Sequence, residues 1–216
     1  MRTPHRRFCL LMYLQRMIEQ HYGLETELAV TDFVIDKETA ESLHPDPAGT
    51  SERLLVHEAE GELNLALYLD DSLQRLLKHA ARGRRDWPLS TLLVLLEGVS
   101  HFVYVAWKAQ NRQGVSELEL ELQAEVDKFV VCLALQPQLR FATGALRSRL
   151  FRQIRYHPQA RAQIAERYRE ANELADKYCR YLETKFLRYD RTSEMNAELR
   201  RFYRKGPGKV NAIRAL

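Results

Sequence analysis

The sequence predicts an α+β chain that is predominantly α-helical, with a small antiparallel β-hairpin or sheet in the N-terminal third followed by a bundle of about five helices. Three observations carry this expectation. Leu63, Leu65, Leu67 and Leu69 alternate strictly with Glu62, Asn64, Ala66 and Tyr68, the period-two pattern of a strand buried on one face. From Asp70 onward the apolar period changes to about 3.6. Ile164, Tyr168, Ala171, Ala175, Tyr178 and Leu182 then repeat in a heptad-like rhythm that requires another helix against it.

Taken in order, residues 6–22 read as an amphipathic helix ended by Gly23. The start is basic and apolar like a secretory signal, but Gln15, Arg16 and Glu19 interrupt it. Leu28, Val30, Phe33 and Ile35 suggest a strand with imperfect alternation. The Pro, Asp, Gly and Ser of residues 44–52 make a loop. Residues 53–59 and 62–69 flank Glu60-Gly61 as a hairpin.

Asp70, Asp71 or Ser72 can cap a helix running through His79. Further helices are expected over 89–110, 116–135 and 139–156, followed by one of about 30 residues reaching Tyr189 and a short one after Thr192-Ser193. Residues 1–69 thus form a helix plus a small sheet, and 70–205 form a helical bundle continuous with it. Residues 206–216 are expected as a basic flexible tail. Residues 89–107 approach the length of a membrane span, but Glu97 and His101 sit at the middle, where ionisable groups are costly. A buried core helix, and no transmembrane segment, is the expectation.

The 216 residues include only three cysteines, Cys9, Cys132 and Cys179, in no CxxC pair. Neither a disulfide framework nor a cysteine zinc site is indicated, which points to the cytoplasm. Charge is distributed unevenly. Residues 1–137 carry 14 Lys+Arg against 21 Asp+Glu, whereas residues 138–216 carry 19 against 8. There is no acid between Asp127 and Glu166.

The basic part supplies the first functional reading, an accessory or regulatory protein that binds an anionic partner, either a nucleic acid or an acidic protein. Arg147, Arg149, Arg152 and Arg155 lie largely outside the apolar stripe of their helix, and Arg200, Arg201, Arg204 and Lys205 follow near the C-terminus. Arginine matches phosphate and carboxylate bidentately, and interleaved aromatics suit stacking on single-stranded bases. Docking of this basic part onto the acidic part of the same chain, on a ridge of Glu117, Glu119, Glu121 and Asp127, explains the asymmetry equally well. The 164–182 seam offers a homodimer interface, or an intramolecular helical pair.

The second reading is a metal-dependent or acid/base enzyme. On the helix from Leu89, residues Glu97, His101, Tyr104 and Lys108 share one strip of an otherwise apolar surface. On the next helix Glu125 falls within the core face and Glu121 at its edge. If the two helices pack antiparallel, Glu97, His101, Glu121 and Glu125 converge as candidate ligands of a divalent metal, with Glu97, His101 and Glu125 as candidate catalytic groups. A purely structural network, in which His101 and Tyr104 bond to glutamates and Lys108 neutralises one, is the competing account. HExxH, paired ExxH, GxGxxG, P-loop and GxSxG patterns are absent. Cys179 lies beside Lys177 and Arg180, a basic sequence neighbourhood that can lower a thiol pKa.

Overall fold

The computed structural model describes residues 10–46, 49–80, 88–136, 138, 142–152, 162–206 and 208–216. The elements are α1 (Leu10–Tyr22), a 3-10 turn (Val30–Phe33), β1 (Val34–Ile35), α2 (Lys37–Leu43), β2 (Glu52–Ala59) and β3 (Glu62–Leu69). They continue as α3 (Asp71–Ala80), α4 (Leu89–Gln110), α5 (Glu117–Leu135), α6 (Thr143–Phe151), α7 (Ala162–Lys185), a 3-10 turn (Leu187–Tyr189), α8 (Thr192–Arg204) and α9 (Gly208–Arg214). The chain is therefore α+β and mostly helical.

Local chemistry sets several boundaries. Glu60 and Gly61 both adopt positive φ, 53° and 81°, as a two-residue type I′ hairpin turn requires. They put β2 and β3 in the antiparallel register Leu54↔Leu67 and Ala59↔Glu62. The Asp70 carboxylate accepts from the Leu73 amide at 2.8 Å and caps α3. Ser116 accepts from the Glu119 amide at 3.2 Å and caps α5.

The sheet is mixed rather than wholly antiparallel. Its order is β1-β3-β2, with β1 parallel to β3. The expected strand over 28–35 is reduced to the two residues of β1, because a side chain takes the place of a ladder partner. Gln15, on α1, donates to the Leu28 carbonyl at 2.6 Å and accepts from the Val30 amide at 2.9 Å. Backbone groups satisfied in this way no longer need a strand neighbour.

Helix α4 is the central element, packing against α1, α5 and both long strands. It is long and apolar enough to cross a membrane, but 67% of its apolar window is buried inside the fold, so it is a core helix. Phe102 and Val103 of α4 and Val126 and Phe129 of α5 are fully buried, each contributing about 1.5–3 kcal/mol through burial. The α7 seam is occupied within the chain: Ala171, Ala175, Tyr178 and Leu182 are buried, and α7 packs on α5. The small alanines permit that close approach.

Two boundaries differ from expectation. α6 spans Thr143–Phe151, shorter than the expected 139–156; residues 139–141 and 153–161 lie outside the described residues. The C-terminal stretch, expected as a flexible tail, instead forms α9, which buries Lys209 and Ile213 completely against the bundle. Aromatic residues make its seat: Lys209 Nζ lies 4.3 Å from the Tyr104 ring centre and 4.8 Å from that of Phe202.

Candidate metal centre

Side-chain pairs across α4 and α5 show the two helices running antiparallel. Glu97 meets Lys128, Ser100 meets Asp127, His101 meets Glu121, and Tyr104 meets Glu119. The polar strip of α4 therefore does not face solvent as one unit. It divides between two buried clusters.

The first cluster gathers Glu97, His101 and Glu121, whose ligating atoms all lie within 4.8 Å of one another. His101 is only 6% exposed, and its Nε2 is 3.5 Å from Glu121 Oε2 without hydrogen-bond geometry. Beside them, Lys128 donates to Glu97 Oε2 at 2.8 Å and to Glu125 Oε1 at 2.6 Å. Glu125 thus joins the cluster through Lys128 and lies outside the converging triplet. Glu97 and Glu125 keep 24% and 16% side-chain exposure, which makes their side the mouth of the site.

A fourth carboxyl group arrives from the sheet. Glu52, at the start of β2, interacts electrostatically with His101, Glu97, Glu121 and Lys128, and its Oε1 is buried without a hydrogen-bond partner. It rests on Gly98 of α4, where an added Cβ would stand 2.7 Å from Glu52 Oε1 and 2.9 Å from Cγ. Tyr168 of α7 lies within electrostatic range of Glu121, Glu97 and Glu52.

The cluster is rich in negative charge: four carboxyl groups face two cationic side chains. Burial pushes the Glu52 carboxyl up to about 8, with Glu97 and Glu121 adding to the rise and His101 opposing it. Burial disfavours charge on His101, but Glu121, Glu52 and Glu97 outweigh it and raise the imidazole to about 9. For Glu97, burial is overcome by Lys128 and His101, and the carboxyl is lowered. Glu125 is raised, burial outweighing its contact with Lys128.

The second cluster lies on the other flank of the α4–α5 interface. Asp127 accepts from Tyr22, from Ser100 at 2.5 Å and from Gln123 at 2.8 Å, and Lys209 donates to Gln123 at 2.7 Å. Tyr104 donates to Glu119, which Lys108 approaches at 3.2 Å. This matches the structural network for Tyr104 and Lys108, and it shares no hydrogen bond with the first cluster. Burial lowers the Lys209 ammonium to about 7, against the attraction of Glu119 and Asp127.

The arginines are largely engaged within the chain. Arg147 is paired with Asp176 and with Glu183, the latter at 2.8 Å. Arg200 donates to the His21 carbonyl at 3.2 Å, while Arg204 donates to those of Tyr22 and Gly23 at 3.0 and 2.9 Å. Both therefore close the C-terminal end of α1, where carbonyls lack helical partners and a cation is favoured. Arg201 reaches Glu198 at 2.9 Å and is mostly exposed. Arg149, Arg152 and Lys205 are exposed, with no charge partner among the described residues; Arg155 lies outside them. Of the acidic ridge, Glu117 pairs with Arg167, and Glu119 attracts Lys108 and Lys209.

Cys132 and Cys179 are buried free thiols, and burial raises both, Cys132 to about 11; neither is poised as a nucleophile.

Glu52, Gly98 and Lys128 are the members of the site that sequence reasoning did not identify. Gly98 alone left a local signal, as a glycine inside a long apolar helix, where it costs about 1 kcal/mol relative to alanine. No protein-family model matches the chain, and searches among curated proteins and among solved structures return no match, so the residues themselves carry the functional reading.

Proposed function

We propose that this protein binds one divalent transition-metal ion between α4 and α5, through Glu97, His101 and Glu121, and that the site supports metal-dependent acid/base chemistry. The observation that carries this reading is His101 Nε2. It is a buried ligand-type atom without a hydrogen bond, converging with two carboxylates within 4.8 Å. Tetrahedral ligands at about 2.1 Å from an ion lie about 3.4 Å apart, so a contraction on the order of an ångström closes the set. One imidazole with carboxylates suits Zn²⁺, Mn²⁺ or Fe²⁺ better than Cu⁺, which prefers sulfur.

A bound ion would supply Lewis acidity and lower the pKa of a water reaching it. The chain's own contribution lies at the mouth. Glu125, kept in place by Lys128 and raised by burial, is the group positioned to hold and return a proton. Lys128 leaves Glu97 one oxygen uncommitted, because its contact is with Oε2. The buried free thiols fit a reducing compartment, the cytoplasm.

The test is metal uptake by chelator-stripped protein, titrated calorimetrically with Zn²⁺, Mn²⁺ and Fe²⁺. One ion per chain is expected, with uptake lost in His101→Ala and Glu121→Gln. Absence of stoichiometric uptake for all three ions removes the reading.

Binding of an anionic partner, nucleic acid or acidic protein, is the second reading. It is supported by the exposed Arg149 on α6, Arg152 just after it, and Lys205, none of which has a charge partner among the described residues, since the chain consumes Arg147, Arg200 and Arg204 internally.

A further inference from the structure

Independently of the metal site, we propose that α9 is a proton-coupled clasp: it leaves the bundle as a unit while the core stays folded, and the Lys209 amine takes up a proton when it does. The clasp begins with a joint. Gly206 and Gly208 flank Pro207 in the sequence, and Gly206 adopts a φ of 59°, which favours glycine. The seven residues from Gly208 to Arg214 are too few for a helix to persist alone, so docking maintains α9.

The docking contacts are few. Lys209 and Ile213 are its buried side chains. On the solvent side, Lys177 of α7 donates to the Arg214 carbonyl at 2.9 Å, and Arg214 pairs with Glu170. Exposed contacts of this kind contribute little, which leaves Lys209 and Ile213 to hold the helix.

Lys209 is a conditional anchor. Its side chain is fully buried, and its hydrogen bond is to a neutral acceptor, Gln123 Oε1, at 2.7 Å. That acceptor is fixed, because Gln123 Nε2 donates to Asp127 at 2.8 Å and to Tyr22 at 3.1 Å. Rings form the other walls: the centres of Tyr104, Phe202 and Tyr203 lie 4.3, 4.8 and 5.7 Å from Nζ. Among the described residues no carboxylate forms an ion pair with it; Glu119 and Asp127 attract it from further away, and Lys108 repels it. A buried ammonium requires a paired charge, whereas a neutral amine requires only the acceptor it has.

Burial accordingly lowers the docked amine to about 7, and release into water returns it to about 10.4. Between these values the released state holds one more proton. Opening therefore becomes about tenfold easier for each unit the pH falls, and is level below about 7. The neighbouring groups do not titrate in that window: burial raises the Tyr22, Tyr104 and Tyr203 phenols, and Asp127 lies at about 6.

Hydrogen exchange at the backbone amides of residues 212–215, corrected for intrinsic rates, reads this opening. In the wild-type chain their protection should rise about 100-fold from pH 7.5 to 9.5, while the amides of Phe102 and Val103 in α4 stay at least about 10-fold better protected. Lys209→Met keeps the apolar stem and loses the amine. Its α9 protection should be independent of pH and, at pH 7.5, at least about 10-fold above wild-type.

A wild-type α9 protection that is flat with pH overturns the proposal, as does the same slope in Lys209→Met. Protection equal to that of α4 at every pH overturns it too, because α9 would then open only with the whole chain. If Lys209→Met fails to fold, the wild-type profile and its comparison with α4 decide.

Discussion

Lys128 of α5 donates to Glu97 of α4 at 2.8 Å, and this ammonium is the fixed cation of a cluster that otherwise holds four carboxyl groups and one imidazole. It also holds Glu125 at 2.6 Å, so its removal exposes two carboxylates to each other. Breaking a largely buried pair from one side costs about 3–5 kcal/mol; partial exposure of Glu97 and Glu125 places Lys128→Met near the lower end. Urea unfolding should show this loss without metal and recovery of part of it with saturating Zn²⁺, which replaces the missing positive charge. Equal losses with and without metal would separate Lys128 from the site.

Lys209 makes stability depend on pH in a defined direction. Its folded value is about 7, against about 10.4 in an unfolded chain. Between these values the unfolded state binds more protons, so stability rises with pH across that window and is level below it. The groups facing the ammonium are Gln123, Tyr104, Phe202 and Tyr203, with Glu119, Lys108 and Asp127 acting through charge. The wild-type minus Lys209→Met difference in urea midpoint should therefore increase from pH 7 to 10, by on the order of a few kcal/mol in stability. A flat difference would show that Lys209 is charged in the fold.

Arg204 and Arg200 are expected to behave as closures of α1 rather than as ligand contacts. Replacing either with alanine leaves terminal carbonyls unmet and should cost about 0.5–1.5 kcal/mol, with little effect on any affinity for a single-stranded oligonucleotide. Arg149→Ala with Arg152→Ala should do the reverse: stability within about 0.5 kcal/mol and weaker, less salt-dependent binding. If the wild-type chain binds no polyanion at 50 mM salt, the anionic-partner reading fails.

The α7 seam is filled by α5 of the same chain, so Ala175→Leu should overpack an internal interface. A loss of about 1–3 kcal/mol is expected, with an unchanged sedimentation coefficient. A change from dimer to monomer on this substitution would instead place the seam between two copies.

The sequence by itself determined what is local. The hairpin follows from leucine alternation and a two-residue turn, and α4 has the boundaries its apolar run announced. The α3 cap was narrowed to Asp70, Asp71 or Ser72, of which the structure uses Asp70, and the pairing of Glu97 with His101 on one face follows from helical spacing. The acidic and basic halves were equally visible, but their meaning was not. Arg204 meets Tyr22 and Gly23, about 180 residues away, and its partners are backbone carbonyls, which leave no mark in a charge count.

Only the tertiary structure decided which polar residues share a cluster. The packing and rotation of α4 against α5 send Glu97 and His101 to one flank and Tyr104 and Lys108 to the other. The sheet then sets Glu52 over Gly98, 46 positions further along the chain. Periodicity specifies the face a residue occupies on its own helix. Which charge meets it depends on the depth and angle at which two apolar surfaces pack, and these are properties of the assembled core.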